Sequence, residues 1–273
     1  MNEVVKSVLK IAIAPIDITF GDVKINLSTV SNIIGALEQN VDILVLPELF
    51  STGFRKSPET MASLAEPIEG ETITTLKELS LRNNLAICGS FVCSHKGKIL
   101  NRAFFISPDC KEHYYDKRHL FTMGGEQNIF SPGKCLPEII EFKGWKIMTA
   151  VCYDLRFPAW LRNSALKYDL LIIPANWAHS RAYAWKHLLI ARAIENQAYV
   201  IGCNRGGQDE YGEYQFEDTF AFDNWGKDIA IRSDDGVIYC TLDRDKLNLD
   251  RDRFSPWRDA DTFTFEDFSE DSE

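Results

Sequence analysis

Three short apolar runs in this chain stop abruptly at polar residues: "VDILVLPELF", "WKIMTAVCYD" and "YDLLIIPANW". Continuous apolar runs of this length, bounded by turn signals, mark strands buried on both faces. Pro47 ends the first run, because proline has no N–H to donate into a central ladder. The second and third bring Cys152 and Asn176 to their ends. Helical patterns lie between them. Leu27, Val30, Ile33, Ile34 and Leu37 fall on one face of a helix that Asn26 or Ser28 is placed to cap. "ETITTLKELSLRNN" predicts a second helix and "FPAWLRNSALK" a third, so strand and helix alternate as in βαβ units.

Hairpin signals are mixed in. "VCSHKGKIL", "EFKGWKIM" and "SDDGVIY" each set a glycine turn between apolar stretches, which predicts mixed sheets, not purely parallel ones. No repeat, low-complexity block or linker divides residues 1–250, and they are expected to form a single α/β domain. After Asp250 the character changes. Residues 251–273 end in "RDADTFTFEDFSEDSE" and predict an acidic tail, mobile or docked on the surface.

With 273 residues and 45% apolar side chains, the chain has ample material for a large core. Its net charge of -10 gives no electrostatic reason to approach phosphate backbones or anionic lipid, so no nucleic acid or membrane partner is expected. The opening "MNEVVKSVLKIAIAP" reads into a strand and lacks the long apolar core and cleavage site of a secretory signal. Seven cysteines without framework spacing predict free thiols in a reducing compartment, the cytoplasm.

In open α/β sheets ligands gather beyond the carboxyl ends of strands. Glu48, Cys152 and Asn176 occupy such ends, and Lys117 follows a short β-prone run in "KEHYYDKRHLF". A cysteine with an ordinary pKa of about 8.5 is only a few per cent thiolate at neutral pH, and so needs a base or a cation nearby. Glu48 is the candidate base. Lys117 is placed to hold the thiolate and then the oxyanion of a tetrahedral intermediate, with the Tyr153 backbone N–H as second donor. Plainer readings stand beside these: Cys152 as an inert core thiol, Glu48 as the start of a turn, Lys117 in a solvated loop, Asp154 and Arg156 as a structural pair. The five histidines show no zinc-ligand spacing, so no metal is expected. Trp177, Trp185 and "HLLIARAI" read as core.

Together, "LPELFSTGF", "YYDKRHLF" and "TAVCYDLRFPAW" resemble the three signature regions of the nitrilase, or carbon–nitrogen hydrolase, superfamily, in the family's order. The likeness continues through "LLIIPANWAHSRAYAWKHLLIARAIENQAYVIGCNR" and covers nearly the whole chain up to the tail. It implies a four-layer α-β-β-α sandwich with two mixed β-sheets, a homodimer, and catalysis by Glu48, Lys117 and Cys152 without a cofactor. It also implies a second glutamate that holds the lysine, and Glu126 in "GGEQNIFSPG" stands at the matching place; its alternative is a surface acid beside two glycines.

Within the superfamily, "DKRHLF", "CYDLRFPAWLRN" and "ANWAHSRAYAW" are most similar to the omega-amidases. These cleave the terminal amide of 2-oxo dicarboxylic acid monoamides, so a small-molecule amide is the expected partner. Such a substrate needs a cationic or hydrogen-bonding group away from Cys152. Arg156, Arg181, Asn176 and Trp177 are the candidates, while Arg192, Glu195 and Asn196 are expected to brace their helix. Pro15 and "QDEYGEYQFEDTFAFDNWGK" depart from the usual wording, although Asp218 and Thr219 keep its polar character. Rival readings are another amidase or carbamoyl hydrolase of the superfamily, a Cys–His hydrolase using His119 or His187, and an inactive thiol-sensing or binding module.

Overall fold

The structure, a computed structural model, describes residues 5–265. In chain order its strands are β1 (Val8–Ile13), β2 (Ile43–Val45), β3 (Ala86–His95), β4 (Lys98–Ile106), β5 (Glu112–Asp116), β6 (Ile140–Phe142), β7 (Trp145–Thr149), β8 (Leu170–Ala175), β9 (Tyr199–Asn204), β10 (Gly207–Asp209), β11 (Gly212–Tyr214), β12 (Phe220–Phe222), β13 (Ile231–Arg232) and β14 (Ile238–Asp243). The helices are α1 (Val23–Ala36), α2 (Pro58–Ser63), α3 (Glu71–Asn83), α4 (Ala182–Asn196) and α5 (Arg244–Arg253).

One sheet runs β13-β14-β1-β2-β3-β4-β5, a second β12-β9-β8-β7-β6, and β10-β11 form a separate ribbon. β1, β2 and β3 pair in parallel, as do β7, β8 and β9. Antiparallel neighbours flank both sets, so both large sheets are mixed. Two of the predicted hairpins turn on Lys96–Gly97 and Lys143–Gly144, all four residues with positive φ, as a tight two-residue turn requires.

Successive side chains of a strand point to opposite faces, which turns the unbroken apolar runs into layers. Leu9, Ile11 and Ile13 of β1 and Ile43 and Val45 of β2 face the second sheet, where they pack with Ile147, Leu170, Ile172 and Ile201. Ala12 and Leu44 face the other way, onto Leu27, Val30 and Ile34 of α1 and Ile73, Leu76 and Leu79 of α3. On the far side of the second sheet Leu171, Ile173 and Val200 meet Trp185, Leu189 and Ala193 of α4. The result is the expected four-layer α-β-β-α sandwich.

Two local expectations are corrected. Helix α1 is capped by Asp22, whose side chain accepts from the Ile25 N–H at 3.0 Å; neither Asn26 nor Ser28 caps it. Asn26 is buried in the first turn and ties the flanking loops together, donating to the Thr19 and Ser51 carbonyls and accepting from the Thr19 N–H. "FPAWLRNSALK" forms turns and a 3-10 segment at Ser164–Leu166 instead of a helix. There the Asn163 side chain takes backbone partners that a helix would need, bonding the Tyr168 N–H and the Tyr168 and Asn196 carbonyls.

Helix α5 crosses residue 250. The Arg251 guanidinium is buried against Asp169 Oδ1 at 2.7 Å and the Gln197 and Tyr168 carbonyls. Further on, the Phe265 ring packs edge-on against Trp160. Residues 266–273 of the acidic tail lie outside the described residues. Among the described residues no helix is long and apolar enough to cross a membrane.

Candidate active site

Glu48 and Lys117 leave the first sheet at the ends of β2 and β5, and Cys152 and Asn176 leave the second at the ends of β7 and β8. Each exit is fixed by local bonds. The chain after Glu48 turns at Leu49, φ 49°, whose N–H donates to Ser90 Oγ. Lys117 donates its N–H to the Asn101 carbonyl and accepts at its own carbonyl from Gly133 N–H, both at 2.9 Å. A Cβ on Gly133 would stand 2.0 Å from the Asp116 carbonyl oxygen, so only glycine lets the "SPG" turn lie against this strand end.

Cys152 opens a 3-10 turn, Cys152–Arg156, and has φ 45°, a left-handed conformation unusual for a side-chain-bearing residue. Asp154 holds the turn. Its Oδ2 accepts from the Val151 N–H and the Tyr115 hydroxyl, and its Oδ1 from the His119 N–H, with His119 Nδ1 2.8 Å away. The expected Asp154–Arg156 pair is therefore corrected: Asp154 is saturated by these partners, and the Arg156 guanidinium lies over the Trp177 ring at 4.8 Å.

Lys117 Nζ donates to Glu48 Oε1 and Glu126 Oε1, both at 2.8 Å, with Lys117 only 1% exposed and Glu48 2%. Glu48 Oε1 also accepts from Asn101 Nδ2, and Glu48 Oε2 accepts from the Asn176 N–H at 2.9 Å, a bond that ties one sheet to the other. Glu126 Oε2 accepts from the Phe121 N–H. Burial alone would pull a lysine down, yet the Glu126 and Glu48 carboxylates hold the Lys117 ammonium well above its ordinary range. Burial pushes the Cys152 thiol well up and Glu48 adds to this, against the pull of Lys117. The resting sulfur is thus a thiol. Glu126 is raised, by burial first, with Lys117 opposing.

Glu48, Glu126, Cys152, Tyr153, Asn176 and Trp177 line one cavity of about 240 Å³, together with Arg156 and Arg181. Lys117 stands behind this wall, bridging the two carboxylates with two of its three N–H donors. Asn176 Oδ1 is buried without a hydrogen-bond partner. The Arg181 guanidinium lies over Phe121 at 5.2 Å. His119 stacks on Phe157, and His187 bonds its own helix at the Tyr183 carbonyl; neither lines the cavity. Trp185 is core, and Arg192 bonds Glu195 and the Leu155 carbonyl while Asn196 accepts from Asn163. Sequence reasoning missed Lys56, Met123, Tyr211 and Tyr214 on the cavity wall. They come from loops and the β10-β11 ribbon, where no periodicity signals which way a side chain faces.

Residues 10–252 match the carbon-nitrogen hydrolase family, and the chain belongs to that family. Among its relatives, the omega-amidase YafV of Yersinia enterocolitica is 38% identical over 260 residues, spanning 94% of this chain and 98% of its own. A 2-oxoglutaramate amidase of Bacillus subtilis is 31% identical over 233 residues, 83% of this chain and 88% of its own. A CN-hydrolase superfamily protein of Xanthomonas campestris, solved with an arsenic adduct in the active site, superposes with a TM-score of 0.88 at 34% identity, over 94% of this chain and 99% of that one.

Proposed function

We propose that this protein is an amidase of the omega-amidase type, releasing ammonia from the terminal amide of small 2-oxo dicarboxylic acid monoamides such as 2-oxoglutaramate and 2-oxosuccinamate. One observation carries the reading: a thiol beside a buried Glu–Lys–Glu cluster shares its cavity with three cations, Lys56, Arg156 and Arg181. Each cation lies over an aromatic ring, and none forms an ion pair among the described residues. In a chain of net charge -10 such unpaired cations fit a substrate carboxylate.

The reaction follows from the cluster. Glu48 takes the thiol proton as the sulfur attacks the amide carbon. Its carboxylate accepts three hydrogen bonds from the protein, leaving lone-pair capacity for this proton. The Tyr153 N–H donates to the oxyanion, and the Lys117 ammonium, with the one N–H that the two carboxylates do not take, stabilises it from behind the wall. Collapse breaks the C–N bond, Glu48 returns the proton to the leaving nitrogen, and ammonia departs, leaving a thioester. Glu48 then deprotonates a water that attacks the thioester carbon, and the second collapse returns the proton to the sulfur and frees the acid. Glu126 positions Lys117. Asn176 lines the same cavity and contributes its backbone N–H to Glu48.

The homologous omega-amidase and 2-oxoglutaramate amidase support the substrate class. Carbamoyl acids also carry a carboxylate and are the second reading the cations favour. We further propose a cytoplasmic homodimer: all seven cysteines are free, and the surface exposes large apolar side chains, Tyr183 and Ile194 on α4 and the stacked Trp225 and Phe254.

The test follows ammonia release from 2-oxoglutaramate and 2-oxosuccinamate against glutamine, asparagine, aliphatic amides and carbamoyl acids. The oxo-acid monoamides are expected to show the highest kcat/KM, and Cys152→Ala to lose about 10⁴-fold or more of it. Replacing Arg156 and Arg181 by methionine, one at a time, is expected to raise KM about 10- to 100-fold for at least one of them. Substantial turnover by Cys152→Ala refutes the chemistry; a preference for neutral amides refutes the substrate class. An acyl mass shift at Cys152 separates an enzyme from a silent binding module.

A further inference from the structure

The β10-β11 ribbon belongs to neither large sheet, and its two-residue turn, Glu210–Tyr211, brings the Tyr211 ring to the wall of the Cys152 cavity. The ribbon's base is fixed. Arg205, 3% exposed, bonds Asp209, Asp17 and the Ile18 carbonyl, and a Cβ on Gly207 would stand 1.9 Å from Asp17 Oδ1. Its tip is held differently, by contacts at the surface to the segment that follows Glu48. The Lys56 N–H donates to Tyr211 Oη at 2.8 Å, Lys56 Nζ lies 4.8 Å over the Tyr211 ring, Phe54 packs against the same ring, and Arg55 pairs with Glu210.

We propose that Tyr211 is a length-determining residue: docked on Phe54 and Lys56, it closes the end of the cavity and limits the amides that reach Cys152 to short ones. The cavity of about 240 Å³ falls below the roughly 300–1,000 Å³ of sites that take drug-sized ligands, and Tyr211 forms part of its boundary. The contacts that hold the tip are a single hydrogen bond, a tilted ring contact, the Lys56 ammonium over the ring and an exposed ion pair, and all but the ion pair are made by the Tyr211 side chain, so one substitution removes them.

The inference deepens the amidase reading, because the gated cavity is the one that holds Cys152, but its test does not require turnover. Alkylation of Cys152 is followed by peptide mass at one pH, with iodoacetamide and with its N-octyl derivative, in the full chain and in Tyr211→Ala. The substitution is expected to raise the N-octyl rate about tenfold or more while changing the iodoacetamide rate by less than about threefold, the scale of losing one hydrogen bond and a ring contact. Tyr211→Phe, which keeps the ring and loses the bond to Lys56, is expected to shift the ratio in the same direction by less. An unchanged ratio in Tyr211→Ala overturns the proposal. If the ratio shifts but no amide is hydrolysed, the amidase reading fails and the gate stands; if short amides are hydrolysed and the ratio is unchanged, the gate fails and the reading stands.

Discussion

At φ 45° the Cys152 backbone sits where an L side chain crowds the neighbouring carbonyl, and the Asp154 bonds keep it there. Cys152→Gly should therefore be more stable than Cys152→Ala by about 1 kcal/mol, because glycine alone enters this region without penalty. Equal denaturation midpoints for the two variants would show that no strain is held at this position. Lys117 answers a different constraint. It neutralises two largely buried carboxylates, so Lys117→Met should destabilise the fold by about 3–5 kcal/mol, the usual consequence of leaving buried charge unpaired. A loss under about 1 kcal/mol would mean the carboxylates find other partners. Cys152 was legible in the sequence as a polar interruption after an apolar run and Lys117 at the end of a β-prone one, and the resemblance implied that Glu126 holds the lysine, whereas the strain at Cys152 was not legible. The Lys117–Glu48 bond joins groups far apart along the chain, 69 positions, and the Asp154 carboxylate that holds the Cys152 turn is itself fixed by Tyr115 and His119.

Among the elements, β2 shows how a strand is anchored at its opposite end from the site. Asp42 precedes it, accepting from Lys6, Lys143 and the Lys10 N–H. Burial pushes its carboxyl up, but the Lys143 and Lys6 hydrogen bonds outweigh burial and hold it below its ordinary 3.8. A carboxyl depressed in the folded state adds stability above its unfolded value, and that stability is lost as pH falls through the folded one. Asp42→Asn should therefore lower stability by roughly 1–3 kcal/mol at pH 7, and the gap to wild type should narrow as pH falls below the ordinary 3.8. A gap constant across that range would contradict the assignment. The strands and hairpins were legible because burial and glycine turns leave local signatures. The helix over "FPAWLRNSALK" was misread because the pattern shows apolar spacing but not the Asn163 bonds to Asn196. Those bonds require α4 to be in place first.

For the whole molecule, the two sheets press Leu, Ile and Val of β1, β2, β7 and β8 into one central layer, each such side chain contributing about 1.5–3 kcal/mol on burial. That layer sets the separation at which Glu48 from one sheet can accept from the Asn176 N–H of the other. The proposed homodimer should sediment at twice the chain mass over a wide range of concentration; a single species at the chain mass would contradict it. The sequence by itself determined that the strands are covered on both faces and the sheets mixed, since continuous apolar runs must be buried and glycine turns mark hairpins. It also marked Glu48, Lys117 and Cys152 by residue type at strand ends, while the four layers came from the resemblance. The tertiary structure alone decided that Lys117 stands behind the cavity wall, that Asp154 serves the turn and not Arg156, and that Lys56 and Tyr211 reach the cavity wall. The reason is physical: periodicity reports which side of an element is buried, while loop side chains take their direction from whatever neighbours folding brings against them.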